Sequence, residues 1–171
     1  MSQDRFLRVG RANASRALVA LAFVVTGAAG AHAQAIQTFP GSSCQASGSA
    51  QDLYYSGVSI ANRKDAQASA VCPIVRSKPL AALTWFAVVV RDRHSTQDIT
   101  CRLEARDVYG TAGTGWSQTE STSGEGNQVL VFGPPTTATP PYGPYAVVCS
   151  LPPMEEVNQP SYISSYVLAE P

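Results

Sequence analysis

The chain alternates hydrophobic and polar residues in short segments that are separated by turn-forming residues. The clearest case is segment 99–106, ITCRLEAR, in which apolar residues alternate strictly with polar or charged ones. A period of two places successive side chains on opposite faces of a strand, so one face should be buried and the other wet. Segment 82–90 is apolar at nearly every position, which is typical of a central strand. This pattern predicts that Trp85 lies in the core.

Eight segments have this strand-like character, and polar, glycine-rich or proline-rich turns separate them at intervals of about ten residues. Residues 38–51 are small and polar, which predicts a loop, and Pro73 predicts an edge or bulged strand because proline has no N–H to donate. No convincing helical pattern follows the N-terminal region. The sequence therefore predicts an all-β fold, an antiparallel β-sandwich of immunoglobulin-like or jelly-roll style. The eight segments are 52–60, 67–75, 82–90, 99–106, 115–122, 127–132, 145–151 and 162–169.

The first 33 residues have the organisation of a signal peptide. Four arginines precede an uncharged apolar run at 17–30, and the run ends in the small residues AHAQA. The run is shorter than the roughly 20 apolar residues that a spanning helix needs. We therefore expect cleavage after Ala33, with Ala35 nearly as good a site, and a single domain over residues 34–171. We also expect no membrane anchor after leader removal and a secreted or periplasmic location.

Loss of the leader changes the charge balance. The full chain has 12 Lys+Arg and 12 Asp+Glu, and the leader contains four arginines and Asp4. The remaining domain has 12 − 4 = 8 basic and 12 − 1 = 11 acidic residues, a formal charge of 8 − 11 = −3. A nucleic-acid-binding domain is expected to show a basic stripe. The composition therefore argues against nucleic acid as a partner.

All four cysteines lie in the expected mature domain. An even number of cysteines in an exported chain is most simply a set of disulfides. No two cysteines are close enough in sequence for a C-x-x-C metal site. Four cysteines allow three pairings, and we favour Cys44–Cys72 with Cys101–Cys149, because Cys101 and Cys149 lie on the apolar sides of two predicted strands.

No catalytic motif is evident, so the sequence predicts no catalytic residue, no metal ligand and no cofactor. His94 is the one histidine of the expected mature domain, since His32 lies in the predicted leader. The alternative is a small secreted hydrolase acting on a sugar or a peptide. Its candidates are His94 with Asp92 or Asp98, or the carboxylates of Glu104 and Glu120, and it requires a cleft in which these groups converge.

Several aromatic residues are candidates for ligand binding. Trp116 lies among small polar residues, and Tyr54, Tyr142 and Tyr145 could join it in a face on which a sugar stacks. The leading hypothesis is an exported, non-catalytic β-sandwich with a binding or structural role at the cell envelope or outside it. Its partner would be a glycan or an envelope protein. A third hypothesis is an inhibitor or accessory subunit of an envelope complex, with the proline-rich segment 134–144 as the contact.

Four segments carry a resemblance to a known group of proteins. They are AVCPIVRS, CRLEARD, YAVVCSLPP and the terminal SYISSYVLAE. In these segments the chain resembles small secreted bacterial proteins of unknown function that share a four-cysteine pattern. The resemblance covers nearly all of the expected mature chain, and its motifs are structural. It implies a secreted, disulfide-containing fold and no catalytic residues.

Overall fold

A computed structural model describes residues 34–48, 53–78, 83–105, 116–134 and 143–171. The predicted leader lies outside these residues. The described residues form eleven strands and a short 3-10 turn at Gly41–Ser43, so the all-β prediction is confirmed. The strands are β1 (Ala35–Pro40), β2 (Gln45–Ser47), β3 (Leu53–Ser56), β4 (Ser59–Asn62), β5 (Ala68–Ile74), β6 (Trp85–Asp92), β7 (Thr100–Ala105), β8 (Trp116–Ser121), β9 (Gly126–Phe132), β10 (Tyr145–Leu151) and β11 (Tyr162–Glu170).

The strands form two antiparallel sheets. Sheet A has six strands in the order β3-β4-β11-β6-β9, and β1 also pairs with β11. Sheet B has five strands in the order β2-β5-β10-β7-β8. The first two residues of β11 pair with β4, and the residues from Ser165 onwards pair with β1. A register shift between Ile163 and Ser165 marks this change of partner.

The last eight strands pair as nested ladders. β4 pairs with β11, β5 with β10, β6 with β9, and β7 with β8. This nesting is that of a long hairpin rolled up into two sheets, which is the arrangement of a jelly roll. Of the two sandwich styles that the sequence predicted, the topology selects the jelly roll.

The core lies between the two sheets and consists of their inward-facing residues. Sheet A contributes an aromatic cluster in which Phe86 packs against Phe132 and Tyr166, with ring centroids 5.6 and 6.2 Å apart. Sheet B contributes the alternating buried residues of β5, β7 and β10. The Tyr166 hydroxyl donates to the carbonyl oxygen of Pro73 at 2.8 Å, and this hydrogen bond crosses from sheet A to sheet B through the core. Burying a large side chain of this kind contributes about 2–3 kcal/mol.

Both disulfides lie in sheet B, in the pairing that the sequence analysis favoured. Cys101 and Cys149 are directly opposite each other on β7 and β10, with Cα atoms 4.0 Å apart. Cys44 precedes β2 and joins Cys72 on the neighbouring β5, with Cα atoms 3.9 Å apart. All four cysteines are buried. The disulfides therefore join neighbouring strands of one sheet.

Three expectations about the elements are corrected. Segment 52–60 is not one strand, because Gly57 has a φ of 56° and turns the chain back between β3 and β4. Segment 38–51 is not simply a loop, since it contains the end of β1 and all of β2. Trp85 is not in the core. It pairs with Ala169, alternates with the fully buried Phe86, and lies half-buried on the outer face of sheet A.

Pro73 lies where the missing N–H costs nothing. β2 pairs with β5 only at residues 69–71, so the part of β5 that contains Pro73 pairs with β10 alone. The strand is at the edge of the sheet there, as the sequence predicted. Among the residues that the structure describes, no helix is long and apolar enough to cross a membrane.

Candidate binding groove

Asp92 organises a buried loop and is not paired with the imidazole of His94. Its Oδ1 atom accepts hydrogen bonds from the backbone N–H of His94 at 3.0 Å and from the hydroxyl of Ser161 at 3.1 Å. Its Oδ2 atom accepts from the backbone N–H of Ile99 at 3.0 Å and from the hydroxyl of Thr122. The carboxylate is fully buried and its oxygens are occupied. This arrangement stabilises the turn between β6 and β7.

His94 is also engaged by its own loop. The Nδ1 atom accepts hydrogen bonds from the backbone N–H groups of Thr96 and Gln97, at 3.2 and 3.1 Å. An accepting Nδ1 assigns the proton of the neutral imidazole to Nε2. Glu155 packs beside this loop, and hydrogen bonds from the backbone N–H and the hydroxyl of Ser95 lower its pKa. Nδ1 is therefore occupied and not poised as a general base.

The carboxylate candidates Glu104 and Glu120 lie apart from this loop and from each other, whereas Asp98 lies in the loop and accepts a hydrogen bond from the backbone N–H of Gly124 at 3.1 Å. Glu104 lies on the outer face of sheet B and forms an ion pair with Arg102. Glu120 lies opposite Cys101, on the inner side of β8, and accepts a hydrogen bond from Gln118 at 2.7 Å. Within the described ranges, no three His, Cys, Asp or Glu side chains form a group that could hold a metal ion.

The three described residues among the four predicted binding aromatics do not share one surface. Tyr145 is buried on the inner face of sheet B under the guanidinium of Arg76, which is 4.8 Å from the ring centroid, and burial raises its pKa. Trp116 is half-buried against the core on the edge strand β8. Tyr142 lies outside the described residues. Tyr54 is exposed and lies on the outer face of the other sheet.

A second tyrosine joins Tyr54 on that outer face. Tyr54 on β3 and Tyr162 on β11 are both opposite Ala61 on β4, one on each side. Neighbouring strands are about 4.8 Å apart, so the backbones of the two tyrosines are about 10 Å apart, with a methyl group between them. Two rings that flank a small residue leave a trough. Ala61 is the buried floor of this trough.

The trough is part of an open groove of about 410 Å³, which we call the tyrosine groove. Hydroxyl groups and one guanidinium surround the rings, and the guanidinium carbon of Arg63 lies 3.5 Å from the centroid of the Tyr54 ring. Ser59 donates to the carbonyl oxygen of Ser56, and Ser164 donates to that of Val89, both at 3.0 Å. The tyrosine groove therefore combines the flat apolar surfaces of two rings with hydroxyl groups. The groove is lined by Tyr54, Ser56, Val58, Ser59, Ala61, Arg63, Pro160, Tyr162 and Ser164.

The bulge of β11 contributes Ser164 to the groove, and a glycine packs against this bulge. Ser164 is the extra residue of the bulge, at the point where β11 changes its partner from β4 to β1. Gly41 packs directly on the bulge, and a Cβ atom there would lie 2.1 Å from the carbonyl oxygen of Ile163. Such a distance is a clash with backbone, so only glycine fits this close approach. The short segment between β1 and β2 therefore helps to shape the groove.

Sequence reasoning found Tyr54 but missed Ala61, Arg63 and Tyr162. A signal was present in the SGVS sequence at residues 56–59, where a glycine inside a strand pattern indicates a two-residue hairpin turn. A hairpin at that point folds Tyr54 back against Ala61. The approach of Tyr162 depends on the pairing of β11 with β4, which connects residues about a hundred positions apart and leaves no local signal.

Comparisons with known proteins give structural likenesses only. No protein-family model matches the chain, and no curated protein matches its sequence. A low-affinity xylan-binding module, CBM86 from Roseburia intestinalis, is similar with a TM-score of 0.45 and 13% identity, over 80% of this chain and 96% of the module.

Two further solved structures are similar at the same level. A carbohydrate-binding module, CBM36, in complex with calcium and xylotriose has a TM-score of 0.42 and 10% identity, over 78% of this chain and 98% of the module. A family 11 carbohydrate-binding module from Clostridium thermocellum, in complex with a β-1,3-1,4-mixed-linked tetrasaccharide, has a TM-score of 0.40 and 8% identity, over 82% of this chain and 90% of the module. TM-scores this low carry no argument about function.

Proposed function

We propose that the protein is a non-catalytic β-sandwich that binds a glycan through the tyrosine groove, at the cell envelope or outside the cell. The observation that carries this proposal is the placement of Tyr54 and Tyr162 on either side of Ala61. Two flat rings with a small residue between them, on an exposed sheet face, offer stacking surfaces without closing the site.

The chemistry of the groove matches that of a sugar. The C–H groups of a pyranose face are apolar and pack on an aromatic ring, while its hydroxyls need donors and acceptors at the rim. Ser56, Ser59 and Ser164 supply hydroxyls within reach of the tyrosines. The volume of about 410 Å³ lies in the range of small-ligand sites, and the open form suits part of a longer chain.

The non-catalytic part of the proposal is supported by the carboxylates. A glycosidase of the usual kind needs two carboxyl groups within about 5–10 Å, on either side of the scissile bond. In the part of the chain that the structure describes, no aspartate or glutamate lines the groove. Asp92 is occupied by its loop, and Glu104 and Glu120 lie on opposite faces of sheet B.

The extracellular location is supported by the two disulfides. Disulfides persist in oxidising compartments and are rare in the cytosol. The predicted leader at residues 1–33 points to the same compartments. An exported protein meets glycans of the envelope and of its surroundings, which is the setting that the groove requires.

The test is a binding measurement with variants of the groove. Affinity electrophoresis against a panel of polysaccharides identifies a ligand, and calorimetry then compares Tyr54→Ala and Tyr162→Ala with the native protein. We expect each variant to weaken binding about tenfold, since one aromatic contact contributes about 1.4 kcal/mol.

The matched control is Tyr55→Ala. Tyr55 is next to Tyr54, is similarly exposed, and alternates to the other side of β3. It should leave binding unchanged. If no glycan binds, or if all three tyrosine variants bind like the native protein, the proposed function is wrong.

A further inference from the structure

The face of sheet A that contains the tyrosine groove carries positive charge without negative charge. Arg91 on β6 and Arg63 just after β4 lie on this outer face. Among the outward-facing residues of sheet A that the structure describes, none is an aspartate or a glutamate. This is unusual in a domain whose expected mature form has a formal charge of 8 − 11 = −3. The arginines therefore lie in a local surplus of positive charge.

Arg63 presents its hydrogen-bond donors to the groove. Its guanidinium stacks on the Tyr54 ring, with the guanidinium carbon 3.5 Å from the ring centroid. A guanidinium that stacks by its flat face keeps its N–H groups free at its edge. Within the described residues, Arg63 forms no ion pair, not even with the nearby Asp65 of the same turn. Its donors remain available to a ligand on the neighbouring ring.

Arg91 lies on the far side of the second tyrosine. It is directly opposite Tyr162 in the pairing of β11 with β6, so the two side chains are neighbours on the same face. Its Nε atom is buried and has no hydrogen-bond partner among the residues that the structure describes. A buried donor without a partner is costly, particularly on a charged group. No described carboxylate pairs with the half-buried Arg91, so an anion beside Tyr162 would be the partner of its guanidinium.

Other described arginines already have oxygen partners. Arg76 pairs with the Glu170 carboxylate at 3.3 Å, Arg102 pairs with Glu104, and Arg93 donates to the side-chain oxygen of Gln159 at 2.9 Å. Arg63 and Arg91 are the ones that differ, and both are at the tyrosines. Arg63 lines the groove and Arg91 adjoins it beside Tyr162, so the unmatched charge is concentrated at this end of the sheet.

We infer that the glycan recognised by the groove is acidic, a saccharide that carries carboxylates of the hexuronic acid type. The inference rests on the proposed function and specifies its ligand. The pyranose ring stacks on Tyr54 or Tyr162, and a carboxylate accepts hydrogen bonds from Arg91 or Arg63. Guanidinium groups suit this role because they bind a carboxylate through two parallel hydrogen bonds.

The experiment uses one sugar with and without its charge. A short oligogalacturonate and its fully methyl-esterified form are titrated into the disulfide-bonded protein by calorimetry. We expect the acid to bind at least about tenfold more tightly than the ester, and the difference to shrink in high salt. We expect Arg91→Gln and Arg63→Gln each to reduce the ratio of acid affinity to ester affinity, and the double variant to bring that ratio close to one.

Two controls accompany the titration. Arg102→Gln removes an arginine from the opposite sheet, where its charge is matched by Glu104, and should leave the preference intact. Polyglutamate tests whether negative charge alone is sufficient, and we expect no binding. Arg63 is exposed, so Arg63→Gln still reports on the groove if Arg91→Gln does not fold.

The outcomes separate this inference from the proposed function. Equal binding of acid and ester overturns the acidic ligand and leaves glycan binding in place. Binding of polyglutamate as tight as that of the acid also overturns it. If neither uronate form binds but neutral xylan or glucan oligosaccharides do, only the inference fails. If no saccharide binds at all, both fail.

Discussion

The outer faces of the two sheets differ in what they present to solvent. On sheet B, a row of five small hydroxyl residues runs across all five strands, and it is followed by the internally paired Arg102 and Glu104. On sheet A, the outer face has the tyrosine groove at one end and exposed valines at Val129 and Val131. The hydroxyl row consists of Ser47, Ser69, Ser150, Thr100 and Ser121.

The same difference extends to how the sheets are held together. Both disulfides lie in sheet B, so its strands are joined covalently as well as by hydrogen bonds. No disulfide lies in sheet A, whose residues are held by pairing and by the shared core. We conclude that sheet B is the covalently stapled support with a matched ion pair on its outer face, while the described part of the outer face of sheet A carries arginines without carboxylate partners. This division is what the following predictions test.

The largest expected effect comes from breaking the support. Replacing Cys101 and Cys149 together with alanine removes a link that closes a loop of 48 residues. In the chain-entropy model the free energy of unfolding falls by about 4 kcal/mol, because the unfolded chain regains that freedom. Denaturant unfolding measures the loss, and glycan binding by the remaining folded protein should be unchanged.

The other disulfide is the internal control for that change. Cys44–Cys72 closes a shorter loop of 28 residues, so its removal should cost slightly less, about 3.5 kcal/mol. A loss below about 1 kcal/mol for either pair would show that the covalent links do not support sheet B. Loss of binding in the folded double variant would contradict the division between the two faces.

A smaller effect is expected from filling the groove. Ala61→Phe places a ring on the floor between Tyr54 and Tyr162 and occupies the space of the sugar. We expect glycan affinity to fall by about ten- to a hundredfold, equivalent to about 1.4–2.8 kcal/mol, as measured by calorimetry. Ala146→Phe is the matched control, since Ala146 is the outward-facing alanine of β10 on sheet B. Equal losses in the two variants would mean that the groove is not the site.

The sequence predicted those features of the fold that follow from the alternation of apolar and polar residues along a single strand. Within residues 99–105 the alternation holds in the structure, with Ile99, Cys101, Leu103 and Ala105 buried on the inner face and Arg102 exposed on the outer face, because β7 has regular neighbours on both sides and no bulge. The orientation of Cys101 and Cys149 followed from that regularity. Alternation within a single strand is therefore a sound guide where the strand is central and unbroken.

The sequence did not predict which face of a sheet a side chain occupies where both faces of its strand are apolar or where its partner strand is unknown. Trp85 was expected in the core because both faces of its strand are apolar, yet one of those faces is the outer surface of sheet A. Val129 and Val131 show that this surface is apolar and still exposed. Tyr145 was included among the binding aromatics and is buried instead. Composition gives the residues that a site needs, whereas only the strand register tells which of them meet.

The smallest effect concerns two sets of hydrogen bonds that join the sheets at their two ends. We call them the neutral seam, at Asn62, and the charged seam, at Glu170. At one end, the buried Asn62 of β4 donates to the carbonyl oxygens of Leu151 and Pro152, at 3.2 and 2.8 Å. At the other end, the buried Glu170 of β11 accepts hydrogen bonds from the residues that follow β5. The donors are the backbone N–H of Ser77 at 2.9 Å, the Ser77 hydroxyl, the backbone N–H of Lys78 at 3.1 Å and the Arg76 guanidinium at 3.3 Å.

Burial alone would raise the pKa of Glu170, but the hydrogen bonds from Ser77, Lys78 and Arg76 outweigh it and hold the pKa below its ordinary value of 4.5. A carboxyl group with a lowered pKa in the folded state stabilises the fold above its unfolded pKa, and that contribution is lost as the pH falls through the folded pKa. We therefore expect the free energy of unfolding to decrease by about 1–2 kcal/mol below about pH 4.5, as measured by denaturant unfolding across a pH series. Glu170→Gln should remove most of this dependence of the unfolding free energy on pH. Glu155→Gln should remove the separate contribution of Glu155, whose pKa is also lowered. A slope that persists unchanged in Glu170→Gln would show that the charged seam contributes no more to the pH dependence than the neutral one at Asn62.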